Sequence, residues 1–294
     1  MPRSRKGVAL WVCITVAVGP SLHERGEPVM RYILTLLAML SAPVAHACGA
    51  DSDCAVGERS YRISLPEGVD APVGAVIWAH GYRGSAAGVM RNGSLRRMVH
   101  AQGLALIAAQ GVGGTWDLPN GPRTADSTGA AEFAYFKAVI DDAAVRFGID
   151  RARLVASGFS AGGMMVWNLA CARPDTFAGF VPISGTYWLR PPESCAGEVA
   201  SIVHIHGDAD KTVPLDGRPI GATHQGKVSE ALAMYADHGA FGVGQSRKVG
   251  GLRCLEQRNG TGAVLEFCLF SGGHSFRTEY LAHGIERLKA AGRL

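Results

Sequence analysis

The sequence predicts an α/β protein: one domain built on a doubly wound, mostly parallel sheet with helices on both faces. Three observations point there. Short apolar runs recur along the chain, and most are continuous rather than alternating, as in strands buried on both faces. Segments of helical apolar spacing separate those runs, and alternating strands and helices build parallel sheets. No repeat, low-complexity tract or linker divides residues 48–294, a length at the upper end for a single domain.

The elements follow in order. Strands are predicted at "GAVIWA" (74–79), "LALIAA" (104–109), "RLVAS" (153–157), "AGFVPI" (178–183), "SIVHI" (201–205) and "AVLEFCLF" (263–270). The clearest helix, "TGAAEFAYFKAVIDDAAVRFG" (128–148), stops at Gly148, the residue type that ends helices without steric cost. A second, "AGGMMVWNLACARP" (161–174), ends before Pro174, and "SFRTEYLAHGIERLKAAG" (275–292) closes the chain.

Residues 1–47 read as a leader rather than as part of the domain. From Met30-Arg31 an apolar run leads to Ala45-His46-Ala47, the layout of a secretory signal peptide with an A-x-A cleavage site. The run is short for a transmembrane helix. Residues 1–29 hold a second signal-like stretch, and they read as lying upstream of a true start at Met30, or as part of a long leader. The expected mature protein, residues 48–294, is secreted or periplasmic and keeps no stable membrane association. The leader also holds three of the chain's four net positive charges, with Arg3, Arg5, Lys6, Arg25 and Arg31 against Glu24 and Glu27. A near-neutral mature chain without basic blocks argues against a nucleic-acid partner.

Six cysteines fall in 48–294, an even number that suits disulfides in an oxidising compartment. Cys48 and Cys54 flank a short polar loop. Cys254 and Cys268 flank a hairpin whose three-residue tip at Gly260-Thr261-Gly262 would set them opposite each other. Cys171–Cys195 follows by elimination. No paired C-x-x-C spacing supports zinc.

The segment "ASGFSAGGMM" (156–165) sits between a strand and a helix. Glycine weakens both kinds of element, so Gly158 and Gly162 around Ser160 must provide space. G-x-S-x-G in this setting is a sharp turn that projects a nucleophilic serine above the sheet. A serine needs a base, and the base a carboxylate, in chain order acid then histidine. "SIVHIHGDADKTVP" offers Asp208 and Asp210, and the residues alone do not choose between them. "AVLEFCLFSGGHSF" offers His274 beyond the last strand.

Together "GFSAGGMM", "HIHGDADKTVP", "SGGHSF" and "IWAHGYRGSA" resemble the α/β-hydrolase fold, and within it the secreted poly(3-hydroxybutyrate) depolymerase and feruloyl-esterase group. The resemblance covers nearly all of residues 58–292. It implies a serine esterase with Ser160 as nucleophile, His274 as base and Asp210, four residues after His206, as the acid. The oxyanion donors would be the backbone N–H groups of Ala161 and Tyr82. Many members of the group carry Asn where this chain has Ala161, a change that keeps the backbone donor. No metal or organic cofactor is expected. The substrate would be a polyester, poly(3-hydroxybutyrate) first, or alternatively a feruloyl or acetyl ester on plant polysaccharide. Tyr82, Trp116, Tyr187 and Trp188 are candidate substrate contacts, Tyr187 and Trp188 equally readable as core or rim packing and Tyr82 as surface packing. Two rivals remain. One is a metal hydrolase on His204-x-His206-x-Asp208, which lacks a histidine at Ala209; the other is a binding protein on a hydrolase fold.

Overall fold

The structure, a computed structural model, describes residues 48–69 and 71–294; the leader and cleavage site assigned to 1–47 lie outside the described residues. The chain opens with two short strands, β1 (Cys54–Val56) and β2 (Arg59–Ser64), and continues into the buried β3 (Val73–Ala79). Two short helices follow, α1 (Ala86–Arg91) and α2 (Gly93–Ala101), then β4 (Ala105–Ala109). The long helix α3 (Ala130–Phe147) leads to β5 (Ile149–Phe159), α4 (Ala161–Ala172), β6 (Gly179–Ile183) and β7 (Ile202–Gly207). A small two-stranded ribbon, β8 (Arg218–Ile220) and β9 (Thr223–Gln225), precedes α5 (Val228–His238). The chain closes with β10 (Gln245–Val249), β11 (Leu252–Arg258), β12 (Val264–Phe270) and α6 (Thr278–Ala290).

Ten strands form one sheet in the order β1-β2-β4-β3-β5-β6-β7-β12-β11-β10. Its centre, β4-β3-β5-β6-β7-β12, is parallel, and each edge is an antiparallel ribbon. Apolar side chains of α3, α4 and α5 cover one face, packed on Ala75, Ile77, Leu154 and Phe180; those of α1, α2 and α6 cover the other, on Val76, Leu106, Val155 and Val181. Burial on both faces is why the central strands read as continuous apolar runs.

Each predicted strand and helix is present, with shifts of a few residues; β5 begins four residues earlier than its apolar run, because half-buried Asp150 and exposed Arg151 and Ala152 separate buried Ile149 from that run. Gly148 ends α3 at φ 65°, in the left-handed region. The three expected disulfides, Cys48–Cys54, Cys171–Cys195 and Cys254–Cys268, are formed. In the hairpin, Cys254 pairs with Cys268 and Asn259 N–H donates to the Ala263 carbonyl, closing the tip 260–262. The sequence reading misses α1 and α2, whose signals are caps rather than periodicity: Ser85 Oγ accepts from Gly88 N–H and Asn92 Oδ1 from Leu95 N–H, each at 3.0 Å. It also misses the edge strand β10, whose exposed "QSRKV" has no buried face to leave an alternating pattern.

Candidate active site

Ser160 stands at the β5–α4 junction with φ 61° and ψ −122°, a backbone state costly for a residue with a Cβ, roughly 1–3 kcal/mol. Its amide donates to the Ile183 carbonyl of neighbouring β6 at 2.9 Å, which pins the turn to the sheet. Helix and strands approach closely here. A Cβ on Gly162 would overlap the Ala79 carbonyl of β3, and one on Gly158 would stand 2.6 Å from the Gly162 carbonyl. Gly162→Ala is therefore expected to destabilise the fold by roughly 3 kcal/mol or more, because the obstacle is ladder backbone that cannot turn aside. Denaturant unfolding checks this; a wild-type midpoint would refute the close approach.

The carboxylate and the histidine meet. Asp210, its side chain fully buried in the loop after β7, accepts from His274 Nδ1 at 2.7 Å through Oδ2. Its other oxygen accepts from the Thr212 and Val213 amides at 2.8 and 2.9 Å. Burial alone would raise the Asp210 carboxyl, but the hydrogen bonds from His274 and these amides outweigh it and hold the group below its ordinary range. The His274 ring packs on Phe159, the residue before Ser160, with centroids 4.5 Å apart. Histidine, carboxylate and serine thus share one end of the sheet.

Asp208, two residues earlier, turns outward. It accepts from Arg253 Nη2 at 2.9 Å and from the Gly272 amide at 3.0 Å, and the Arg253 guanidinium is the first cause of its lowered pKa. The Asp208 and Ala209 amides donate to the Phe270 and Gly272 carbonyls, so the acid loop and the histidine loop are laced together. Gly207 permits this: a Cβ there would stand 2.5 Å from the Gly273 carbonyl.

The loop after β3 makes the third side. Gly84 N–H donates to the Gly81 carbonyl and Arg83 N–H to the Gly114 carbonyl, so the turn uses both amides but not that of Tyr82. A Cβ on Gly81 would be 3.6 Å from Ser160 Cβ, so this loop lies against the serine turn. Ala161 supplies one of the first four amides of α4, which have no acceptor within their own helix. Buried His80 sets the loop. Its Nε2 accepts from Gly111 N–H at 2.9 Å, so a neutral ring carries its proton on Nδ1, which donates to the Gly81 carbonyl. Burial lowers the His80 pKa and favours that neutral form.

Two candidate substrate contacts are corrected. Trp116 is 4% exposed; its indole donates to the His80 carbonyl at 2.8 Å and it packs between His80 and Phe136. It braces the loop from behind. Tyr187 is 3% exposed and donates its hydroxyl to the Trp167 carbonyl, which makes it a core residue. Trp188 is half-buried, bridged to Gln225 of β9. Tyr82, 56% exposed, is the candidate whose ring is open to solvent.

The His204-x-His206-x-Asp208 set does not converge on one point, because both rings are buried and bonded to each other while Asp208 binds Arg253. Cys254, Cys268, Glu266 and His283 do cluster, but both sulfurs are in the disulfide. Glu266 binds Arg247 (Nε at 2.9 Å) and His283 (3.0 Å), so its carboxylate is already neutralised by neighbours.

Residues 118–229 match the family model for phospholipase/carboxylesterase. Among curated proteins, "Putative esterase NocK" of Nocardia uniformis subsp. tsuyamanensis is 33% identical over 203 residues, covering 66% of this chain and 55% of that protein. The chain thus spans little more than half that relative's length. Feruloyl esterase C of Emericella nidulans is 26% identical over 230 residues, 74% of this chain and 77% of that one. Among solved structures, the acetyl xylan esterase from Aspergillus awamori superposes with a TM-score of 0.60 at 14% identity, covering 81% of this chain and 95% of that one. The chain has the α/β-hydrolase fold, and these relatives are named as esterases.

Proposed function

We propose that this α/β-hydrolase-fold chain is a carboxylic ester hydrolase that works through Ser160, His274 and Asp210. The observation that carries the reading is the 2.7 Å bond from His274 to buried Asp210 beside the strained Ser160 turn. Ser160 Oγ attacks the ester carbonyl as His274 Nε2 takes its proton, and Asp210 stabilises the resulting imidazolium. The amides of Ala161 and Tyr82 hold the oxyanion. Collapse passes the proton from His274 to the departing alcohol and leaves an acyl-serine. Water, deprotonated by the same histidine, releases the acid and restores the serine.

For the substrate, the relatives named feruloyl esterase C support a feruloyl ester as the first choice, with poly(3-hydroxybutyrate), the polyester favoured by the motifs, second. Exposed Tyr82 beside the oxyanion loop supports an aromatic acyl group. Three disulfides support an extracytoplasmic location. Residues 48–294 are expected to hydrolyse methyl ferulate with kcat/KM at least about tenfold above that for p-nitrophenyl butyrate corrected for its better leaving group, a difference of about 1.4 kcal/mol. Clearing of amorphous poly(3-hydroxybutyrate) that depends on Ser160, with methyl ferulate untouched, would return the polyester to first place.

A further inference from the structure

Buried behind the acid loop is a row of rings that the proposed chemistry does not use. Trp167 of α4 donates its indole N–H to His204 Nδ1 at 3.1 Å. His204 Nε2 lies 3.0 Å from His206 Nδ1, and His206 Nε2 lies 2.8 Å from the Val213 carbonyl and 3.5 Å from Asp210 Oδ2. All three side chains are fully buried.

Hydrogen-bond chemistry fixes the direction of this row. An indole N–H only donates, so His204 Nδ1 accepts. Burial lowers the pKa of both histidines and keeps them neutral, so the single His204 proton sits on Nε2 and points at His206. His206 Nδ1 must then accept, which leaves the His206 proton on Nε2. That proton is donated to the Val213 carbonyl, and the same nitrogen lies 3.5 Å from the Asp210 oxygen that receives His274.

We infer that His206 is a positioning residue for Asp210, its donating nitrogen selected by His204 and Trp167. The inference rests on the Ser160–His274–Asp210 reading. The ring clamps the Asp210–Val213 turn, whose own amides hold Asp210 Oδ1. It also keeps a neutral ring, rather than a second cation competing with His274, 3.5 Å from Oδ2, so the carboxylate is positioned through the clamped turn. Because Trp167 belongs to the helix that begins after Ser160, the row ties the nucleophile's helix to the acid's loop.

The test compares His206→Leu, His206→Gln and Trp167→Phe on p-nitrophenyl acetate, with Ser160→Ala and Asp210→Asn alongside. Leucine removes the donor. Glutamine returns an N–H near the position of Nε2, and phenylalanine keeps an aromatic ring at 167 but, with some loss of volume, removes the indole donor and frees the tautomer of His204. His206→Leu is expected to lower kcat by about 10²-fold with KM within about twofold, the cost of a misplaced catalytic group. His206→Gln should recover most of that loss, and Trp167→Phe should lose about 3- to 10-fold in kcat alone. Equal impairment by Leu and Gln, or kcat within twofold of wild type for Trp167→Phe, overturns the inference. If His206→Leu does not fold, the Gln and Phe variants decide alone. Should Ser160→Ala or Asp210→Asn keep wild-type turnover, the proposed chemistry fails instead; if both abolish it while the His206 and Trp167 variants match wild type, only the positioning role fails.

Discussion

Ser160→Ala is expected to lower kcat on an activated ester by about 10⁶-fold while leaving the fold intact. The size follows from what is lost. Without Oγ no acyl-serine forms, and His274 has no proton to take. What stays is oxyanion stabilisation and binding, worth some 10³–10⁴ over water in enzymes of this type. The fold should survive, because Ser160 makes no side-chain cap bond to α4, and alanine carries the same Cβ in the same backbone state. Hydrolysis of p-nitrophenyl acetate by wild type and variant, with fluorophosphonate labelling of each, reads both halves. A labelled wild type and a silent variant agree with the proposal. A variant within tenfold of wild type would place the nucleophile elsewhere, and an unlabelled, inert wild type would favour a binding protein on this fold.

The serine turn was the most legible part of the site because its causes are local. Strand, G-x-S-x-G and helix lie within a few residues, and one of the clashes that the glycines avoid, Gly158 against Gly162, is between residues four apart, although the other, Gly162 against Ala79, reaches across to β3. The acid was not legible from the residues alone. Asp208 and Asp210 follow the same strand in the same loop, and only tertiary packing turns one toward His274 and the other toward Arg253. The aromatic residues were left open between substrate contact and packing for a related reason. Trp116 and Tyr187 stand in loops, where neither apolar period exists to report burial, and each is held in the core by one polar bond to a distant carbonyl. The imidazole of His80 and the row from Trp167 to His206 carried a faint signal at most. "HIH" on a strand places two rings on one face, but which nitrogen donates depends on an indole 37 residues away from His204.

The central sheet was legible through continuous apolar runs, and its margins were not. Residues 245–249 are exposed on an edge, and residues 59–64 form half-buried β2 beside β4; neither stretch carries the apolar density of a central strand. These ribbons still matter to the site. Arg253 of β11 holds Asp208, and through it the turn that carries His274, so an antiparallel margin braces the parallel centre where chemistry is proposed.

Asp210→Asn separates the two aspartates and is expected to lower kcat by about 10⁴-fold with little change in KM. The asparagine carbonyl can still accept from the Thr212 and Val213 amides, so the loop should keep its shape. Its NH₂ group then faces His274 Nδ1 at the position of Oδ2. Two donors cannot bond, so the ring is driven to put its proton on Nε2, the nitrogen that must accept from Ser160. The imidazolium formed on the way to the acyl-serine also loses its counter-charge. Asp208→Asn should behave differently, with kcat within about fivefold of wild type, because its pair with Arg253 is solvent-exposed and screened. Both variants are compared at one pH on the same ester, with thermal unfolding as the check on folding. A near-wild-type Asp210→Asn beside an inactive Asp208→Asn would exchange their roles and remove the 2.7 Å bond to His274 as the basis of the mechanism.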